Sequence, residues 1–137
     1  MLKSNKKVLV IGGSGFMGSH TADELSNKGF NVTLFDNKES KWKRDDQEMI
    51  IGDIFSPLEL SAVMKGTNYV YHFAASVGVR YSLVNPKKYV SNNIVGFFNL
   101  IENIRHNPPN FFFFASSSSV YGESKKFPLE ESQKLKP

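Results

Sequence analysis

The sequence has no cysteine among its 137 residues, which excludes disulfides, thiolate catalysis and cysteine-ligated metal sites. No apolar run approaches the ~20 residues of a membrane-spanning helix, and the polar first residues lack the apolar segment of a signal peptide. The histidines show no metal-ligand spacing, and a net charge of +4 with interspersed signs is too small to indicate nucleic-acid binding. We therefore expect a cytoplasmic protein with no metal site, no membrane contact and no nucleic-acid partner.

What the sequence does contain is an alternation of β-rich apolar runs and helical patterns from end to end. This alternation predicts a parallel sheet covered by helices on both faces. We predict one α/β domain, a Rossmann-type doubly wound sheet of five strands in the order 3-2-1-4-5. The strands are predicted over residues 8–11, 30–35, 49–51, 69–75 and 111–115. The fifth, a run of phenylalanines, has the composition of a strand at the centre of a sheet.

A glycine-rich turn joins the first predicted strand to a helix predicted over residues 15–28. Gly12 allows a sharp turn, Gly15 lets the backbone approach a diphosphate, and Gly18 lets the helix pack closely on the strand. The free amides around Phe16 and Met17 lie at the positive end of the helix dipole and would face phosphate groups. The pattern predicts a dinucleotide-binding turn.

An acidic residue at the end of the second strand completes this pattern. Asp36 lies 18 residues after Gly18, close to the ~20-residue spacing of an acid that binds the adenosine ribose. A carboxylate at this position accepts hydrogen bonds from both ribose hydroxyls and repels a 2′-phosphate, so we predict NAD rather than NADP. The basic residues that follow could weaken this preference, although a solvated loop explains them as well: Lys38, Lys41, Lys43 and Arg44.

Two later helix starts are predicted from capping residues. Ser56, Pro57 and Glu59 match a complete capping box, for a helix that ends near Gly66. A second helix is predicted to open at Asn85-Pro86. It carries a core-facing stripe with one polar member, Asn93; the stripe comprises Tyr89, Asn93, Phe97, Leu100 and Ile104.

Several motifs along the whole chain resemble one protein family. They are Gly12-x-x-Gly15-x-x-Gly18, Asp36, Gly52-Asp53-Ile54, His72-Phe73-Ala74-Ala75, Asn93-Ile94-Val95-Gly96 and Ser117-x-x-Val120-Tyr121-Gly122. The set resembles the extended short-chain dehydrogenases/reductases, in particular their NAD-dependent sugar-nucleotide epimerases and dehydratases. Gly78-Val79-Arg80-Tyr81-Ser82 with Asn85-Pro86 is most like the UDP-glucuronate 4-epimerases.

The resemblance implies a role for each matching position. Asp36 and Asn37 would contact the adenosine ribose, and Asp53 with Ile54 the adenine. The other implied cofactor contacts are Ala74, Ala75 and Ser76, with Asn93 on the helix beneath the site. Ser117 would be the catalytic hydroxyl that hydrogen-bonds the sugar, or simply a hydroxyl that caps the strand end. Implied substrate contacts are Ser118, Ser119 and Arg80.

The serine run also bears on the type of reaction. Dehydratases of this family place an acid pair directly after the catalytic threonine, because elimination needs a proton donor and a base. Ser118 and Ser119 occupy those positions, which favours C4 epimerisation of a UDP-sugar through a 4-keto intermediate. The alternatives are a dehydratase, decarboxylase or reductase of the same family, or a non-catalytic NAD-binding module, which has no use for the serine cluster.

The family's general base is a tyrosine followed by a lysine one helical turn later. Tyr121 and Lys125 have this spacing, but a glycine lies between them and they directly follow the fifth strand. We therefore expect residues 1–137 to be an incomplete NAD-binding Rossmann domain, the amino-terminal portion of the enzyme, that binds NAD without turning over a nucleotide sugar. Its fifth strand would then lie at a sheet edge and favour homodimers.

Overall fold

The computed structural model describes residues 5–137, which form a single five-stranded parallel sheet with helices on both sides. The strands are β1 (Lys7–Ile11), β2 (Asn31–Asp36), β3 (Glu48–Ile51), β4 (Tyr69–His72) and β5 (Phe111–Phe114). Their order is β3-β2-β1-β4-β5, and every neighbouring pair is parallel. The predicted fold class and strand order are therefore confirmed.

Residues 5–137 also contain five α-helices and two other helical segments. The helices are α1 (Phe16–Asn27), α2 (Pro57–Met64), α3 (Val79–Val84), α4 (Pro86–Val90) and α5 (Phe97–His106). A π-helical segment (Ser91–Gly96) joins α4 to α5, and a 3₁₀ turn (Ser118–Tyr121) follows β5. Within residues 5–137, no helix has the length and apolar character needed to cross a membrane.

The central strand β1 is buried on both faces of the sheet. Its side chains alternate between the faces, and all four of its aliphatic residues are buried. Val8 and Val10 pack in the cluster that includes residues of α1, whereas Leu9 and Ile11 pack in the cluster that includes residues of α2 and α5. Burying a strand on both sides is the pattern expected of a doubly wound sheet.

The turn after β1 has the geometry that its glycines predict. Gly12 has a φ of +83°, a conformation that residues with a side chain rarely adopt. A Cβ atom added at Gly18 would overlap the carbonyl oxygen of Gly12, so only glycine allows α1 to pack this closely on the turn. The turn is also tied to β2, because the Gly12 amide donates to the carbonyl oxygen of Phe35 at 2.8 Å.

Strand β4 is shorter than predicted, since it ends at His72 rather than at residue 75. The last ladder contact on this side is the Phe73 amide, which donates to the carbonyl oxygen of Ile11 at 2.8 Å. Beyond it β1 turns away at Gly12, and the chain crosses so close to the turn that a Cβ at Gly12 would lie 2.5 Å from the Ala74 nitrogen. Residues 73–75 therefore lie across the turn instead of continuing the sheet.

The prediction of the fifth strand as a sheet centre is wrong. Among the described residues β5 is the edge strand beside β4, and Phe111, Phe113 and Phe114 are 49%, 39% and 48% exposed. Apolar composition predicted burial on both faces, but composition carries no information about which strand lies outermost. The expectation of a fifth strand at the edge agrees with the structure.

The helix predicted from Asn85 is interrupted. Asn85 does cap α4 through its side chain, which accepts from the Lys88 amide at 3.3 Å, but the π-helical segment then separates α4 from α5. The extra residue per turn rotates everything that follows, so the predicted stripe does not form one buried face. Leu100 is fully buried, whereas Asn93 is exposed. Helix α3 has no counterpart among the predicted elements.

The capping box at the start of α2 forms only in part. Ser56 accepts from the Glu59 amide as expected, but the Glu59 carboxylate accepts from the Asp53 amide at 2.7 Å rather than from Ser56. The Ser56 amide is already bonded to the carbonyl oxygen of Asp53 at 2.9 Å. Glu59 therefore fixes the turn after β3, where two predicted site residues lie.

Candidate functional site

The carboxyl ends of four strands surround one cleft of about 390 Å³. This is the edge where sheets of this type bind ligands. Nine of the predicted site residues line the cleft: Gly12, Gly15, Asp36, Asn37, Asp53, Ile54, Ala74, Ala75 and Ser76. The lining residues that were not predicted as contacts include Tyr81, Lys88, Tyr89 and Asn92.

Asp36 is held in place by the glycine turn itself. One carboxylate oxygen, Oδ2, accepts from the Ser14 amide at 2.9 Å, and Oδ1 accepts no hydrogen bond from residues 5–137. The Ser14 hydroxyl donates to the carbonyl oxygen of Lys38 at 2.7 Å and is almost fully buried. Ser14 thus joins the turn to the segment after β2, a role that sequence reasoning missed because the glycine pattern treats this position as variable.

The start of α1 faces the same cleft without a side-chain cap. Gly15 is the N-cap residue and has no side chain that could accept a hydrogen bond. The amides of Phe16, Met17 and Gly18 therefore have neither a capping acceptor nor an acceptor within the helix. The side chains of Phe16 and Met17 are 73% and 59% exposed and do not line the cleft. Only their backbone amides would therefore serve the predicted role, which suits an anionic group.

The end of β3 supplies an apolar wall and a carboxylate. Ile54 is buried, and a Cβ added at Gly96 would lie 2.7 Å from its Cγ2 atom, so the glycine makes room for this side chain. Asp53 holds its own turn, with Oδ1 accepting from the Phe55 amide at 2.9 Å. The pair places an apolar side chain beside a carboxylate in the lining of the cleft, an arrangement that suits an apolar group with hydrogen-bonding edges.

The basic residues after Asp36 differ in what they can reach. Arg44 bonds to Asp46 at 2.9 Å and to the Asn27 side chain at 2.6 Å, and Lys43 donates to backbone carbonyls of its own loop. Neither of these two lines the cleft, whereas Lys38 does. The structure therefore gives Arg44 and Lys43 partners outside the cleft, and of these three basic residues Lys38 is the one that lines it.

Asn93 makes a two-point contact with the segment that follows β4. Its Oδ1 accepts from the Ser76 amide at 2.7 Å, and its Nδ2 donates to the Ser76 carbonyl oxygen at 2.9 Å. Asn92 donates to the Ser76 hydroxyl at 3.2 Å, and Asn92 rather than Asn93 lines the cleft. The predicted asparagine thus holds backbone, while its neighbour presents the side chain.

The predicted catalytic and substrate residues lie outside the lining of this cleft. Ser117, Ser118 and Ser119 are exposed, and the Ser117 hydroxyl accepts from the Ser119 amide at 3.2 Å, so Ser117 caps the 3₁₀ turn after β5 rather than the end of the strand. Arg80 is exposed on α3. The roles of these four residues stay predictions.

Tyr121 and Lys125 do not form a helical pair. The 3₁₀ turn ends at Tyr121, and Gly122 follows with a φ of +61°. Tyr121 is the one tyrosine in the sequence with a lysine, Lys125, four residues later. The two residues therefore lack the helical turn that would place the lysine ammonium beside the tyrosine phenol.

His72 is the buried last residue of β4, directly before the segment that lines the cleft. Its ring stacks against both Phe97 and Phe114, with centroid distances of 5.5 and 5.9 Å, and these two rings also contact each other at 4.7 Å. The His72 Nδ1 has no hydrogen-bond partner within residues 5–137. Burial lowers the pKa of His72 from 6.5 to about 4, because the apolar surroundings disfavour the charged ring. This agrees with the prediction of a histidine packed within its strand.

Comparisons with known proteins extend this picture. Residues 8–137 match the family model described as NAD dependent epimerase/dehydratase family. The bifunctional UDP-glucose 4-epimerase and UDP-xylose 4-epimerase 1 of Pisum sativum is 34% identical over 98% of this chain and 43% of its own length. UDP-glucuronate 4-epimerase 5 of Arabidopsis thaliana is 39% identical over 90% of this chain and 32% of its own length.

A solved structure shows the same fold. The UDP-glucose 4-epimerase from Brucella ovis, crystallised in complex with NAD, superposes with a TM-score of 0.88 and 34% identity over 96% of this chain and 42% of its own. The chain thus spans less than half the length of the relatives that it matches.

Proposed function

The chain belongs to the NAD dependent epimerase/dehydratase family, and from this premise we propose that it is the NAD-binding part of a nucleotide-sugar 4-epimerase. The observation that carries the proposal is the fixed carboxylate of Asp36 beside the uncapped start of α1. An acid that accepts hydrogen bonds from ribose hydroxyls, next to amides that donate hydrogen bonds to a diphosphate, is the recognition pattern for a dinucleotide.

The residues present fit NAD at each of its parts. Asp36 and Asn37 would bind the adenosine ribose, and Asp53 with Ile54 would hold the adenine. Gly15 lines the cleft, and only the Gly12 carbonyl oxygen, at 3.3 Å, lies near the position of a side chain added there. This contact with backbone is tight, so packing already disfavours a side chain at this position, and the lack of a side chain would also let a diphosphate approach the backbone. The alanines and serine of residues 74–76 would flank the rest of the cofactor.

We propose C4 epimerisation of a UDP-sugar of the UDP-glucuronate or UDP-glucose type as the reaction of the whole enzyme. When bound, NAD supplies the hydride acceptor and donor for such chemistry. Ser117 would hydrogen-bond the reacting sugar hydroxyl, and Arg80, Ser118 and Ser119 would contact the substrate. Hydroxyls at the last two positions cannot replace the acid pair of a dehydratase, which supports epimerisation over dehydration. Relatives named for both substrates match the chain.

The 137-residue chain by itself is proposed to bind the cofactor without turnover, because on the helices of residues 5–137 no tyrosine is followed by a lysine one turn later. An assay of the purified chain for interconversion of UDP-glucuronate and UDP-galacturonate, or of UDP-glucose and UDP-galactose, tests this. Activity above background would contradict it.

We also propose that the chain forms a homodimer, because the phenylalanines of β5 are exposed. Sedimentation of the purified chain tests this, and a monomer would refute it.

Calorimetric titration with NAD and NADP tests the cofactor site directly. We expect NAD to bind about tenfold or more tightly than NADP, because a 2′-phosphate would meet the Asp36 carboxylate. Asp36→Asn should reduce this ratio, whereas Asp45→Asn, the same change at an exposed loop position, should preserve it. A wild-type chain that prefers NADP, or binds neither dinucleotide, would overturn the proposal.

A further inference from the structure

The segment after β4 forms one wall of the cleft and is held at both ends. We call residues 76–90 the strap. Its first residue is fixed by Asn92 and Asn93. Its turn at Val77 and Gly78 is fixed by Tyr89, whose hydroxyl lies 2.6 Å from one carbonyl oxygen and 2.9 Å from the other. A phenol has one proton, so it is shared between the two carbonyls.

The turn that Tyr89 holds has a backbone conformation that depends on a glycine. Gly78 has a φ of +104°, which a residue with a side chain rarely adopts. The Tyr89 ring is half-buried and lies 6.3 Å from the Tyr81 ring. Both tyrosines line the cleft together with Val77. The hydroxyl thus closes the strap on itself and sets the shape of this wall.

The strand order shows which part of a bound dinucleotide would meet the strap. β2, which ends at Asp36, and β4, which leads into the strap, lie on opposite sides of β1. On the proposed function, the adenosine lies at β2 and the diphosphate at the turn after β1. The remaining half of NAD, the nicotinamide riboside, then extends toward β4 and the strap.

We infer that Tyr89 is a positioning residue for the nicotinamide riboside half of the cofactor. The inference rests on the proposed function. Tyr89 would act by holding the backbone of Val77 and Gly78 in place, and it would not contact the adenosine half. It predicts that loss of the hydroxyl affects NAD and leaves ADP unaffected, because ADP contains only the adenosine and the diphosphate.

Titration of Tyr89→Phe with NAD and with ADP separates this role from a general loss of structure. We expect NAD to bind about five- to tenfold more weakly, the usual effect of a lost hydrogen bond that leaves carbonyls unpaired, and ADP to bind as in the wild type. The matched control is Tyr69→Phe, which removes a hydroxyl bonded to Lys6 at 2.8 Å on β4, away from the cleft. It should bind both ligands as the wild type does.

Gly78→Ala provides a second variant that leaves the Tyr89 hydroxyl in place. A Cβ there would lie 3.5 Å from that hydroxyl, an ordinary contact, so the variant acts through backbone strain alone and should show the same loss for NAD only. Equal losses for NAD and ADP in Tyr89→Phe, or no loss, would overturn the inference while leaving the proposed function intact. A wild-type chain that binds no NAD would overturn both.

Discussion

The buried imidazole of His72 makes the stability of this domain depend on pH. Burial lowers its pKa from 6.5 to about 4 in the folded chain, so the unfolded chain binds a proton first as the pH falls. Each pH unit between these two values then costs about 1.4 kcal/mol of the free energy of unfolding. The full loss is about 3 kcal/mol, complete below pH 4 and absent above pH 6.5.

His72→Phe removes this titration while keeping an aromatic ring packed against Phe97 and Phe114. We expect the free energy of unfolding of the wild type to fall by about 2 to 3 kcal/mol more than that of the variant between about pH 7 and about pH 4.5. Carboxylates also titrate in this range, but both proteins share them, so their contribution cancels in the comparison. Urea unfolding followed by circular dichroism at the two pH values measures the difference.

The matched control for this experiment is His20→Gln, because His20 is an exposed histidine on α1. The control should retain the additional loss of stability at low pH that the wild type shows. If His72→Phe loses as much stability on acidification as the wild type, the buried ring is not the group that titrates, and the reasoning from burial fails.

Two further predictions concern the packing of α1. Gly18→Ala should destabilise the chain by about 2 kcal/mol or more, because its Cβ would overlap the Gly12 carbonyl oxygen; thermal unfolding checks this, and an unchanged midpoint would contradict it. Gln47→Ala should cost about 2 kcal/mol, because the buried Gln47 amide bonds to Asp23 and Ser26 of α1. As a comparison, Glu102→Ala, which breaks only an exposed ion pair, should cost less than about 1 kcal/mol. Equal costs for Gln47→Ala and Glu102→Ala in urea unfolding would argue against a stabilising role of the buried Gln47 hydrogen bonds.

The features predicted correctly from the sequence are those set by neighbouring residues. The run of β-branched residues in β1 specifies a strand whatever surrounds it, and the spacing of Gly12, Gly15 and Gly18 follows from the backbone of a single turn. Asp36 could be predicted because a strand of ordinary length separates it from α1. Each of these features depends on local conformation, which residue type and spacing largely determine.

The features that sequence reasoning misses depend on how distant parts of the chain meet. The capping-box pattern assigns the Glu59 carboxylate to the start of its own helix, but this carboxylate bonds to the Asp53 amide because the turn after β3 brings that amide closer. The π-helical segment consists of weak helix formers, Ser91 to Gly96, but weak helix propensity does not by itself specify a π-helix. Which of the neighbours Asn92 and Asn93 lines the cleft therefore could not be predicted from the sequence, and the structure places Asn92 there.

The sheet order also explains why this edge of the molecule suits one shape of ligand. Asp53, Asp36, Gly12 and Ala74 follow or end four adjacent strands, so they line the cleft in that order. The carboxylates therefore lie to one side, and the positive end of α1 lies in the middle. A ligand with a neutral sugar beside the carboxylates and a negative charge at the start of α1 would meet a favourable partner at both positions. An additional phosphate on the adenosine ribose, as in NADP, would set like charges together at Asp36, so we expect discrimination between NAD and NADP to follow from the strand order as well as from the acid itself.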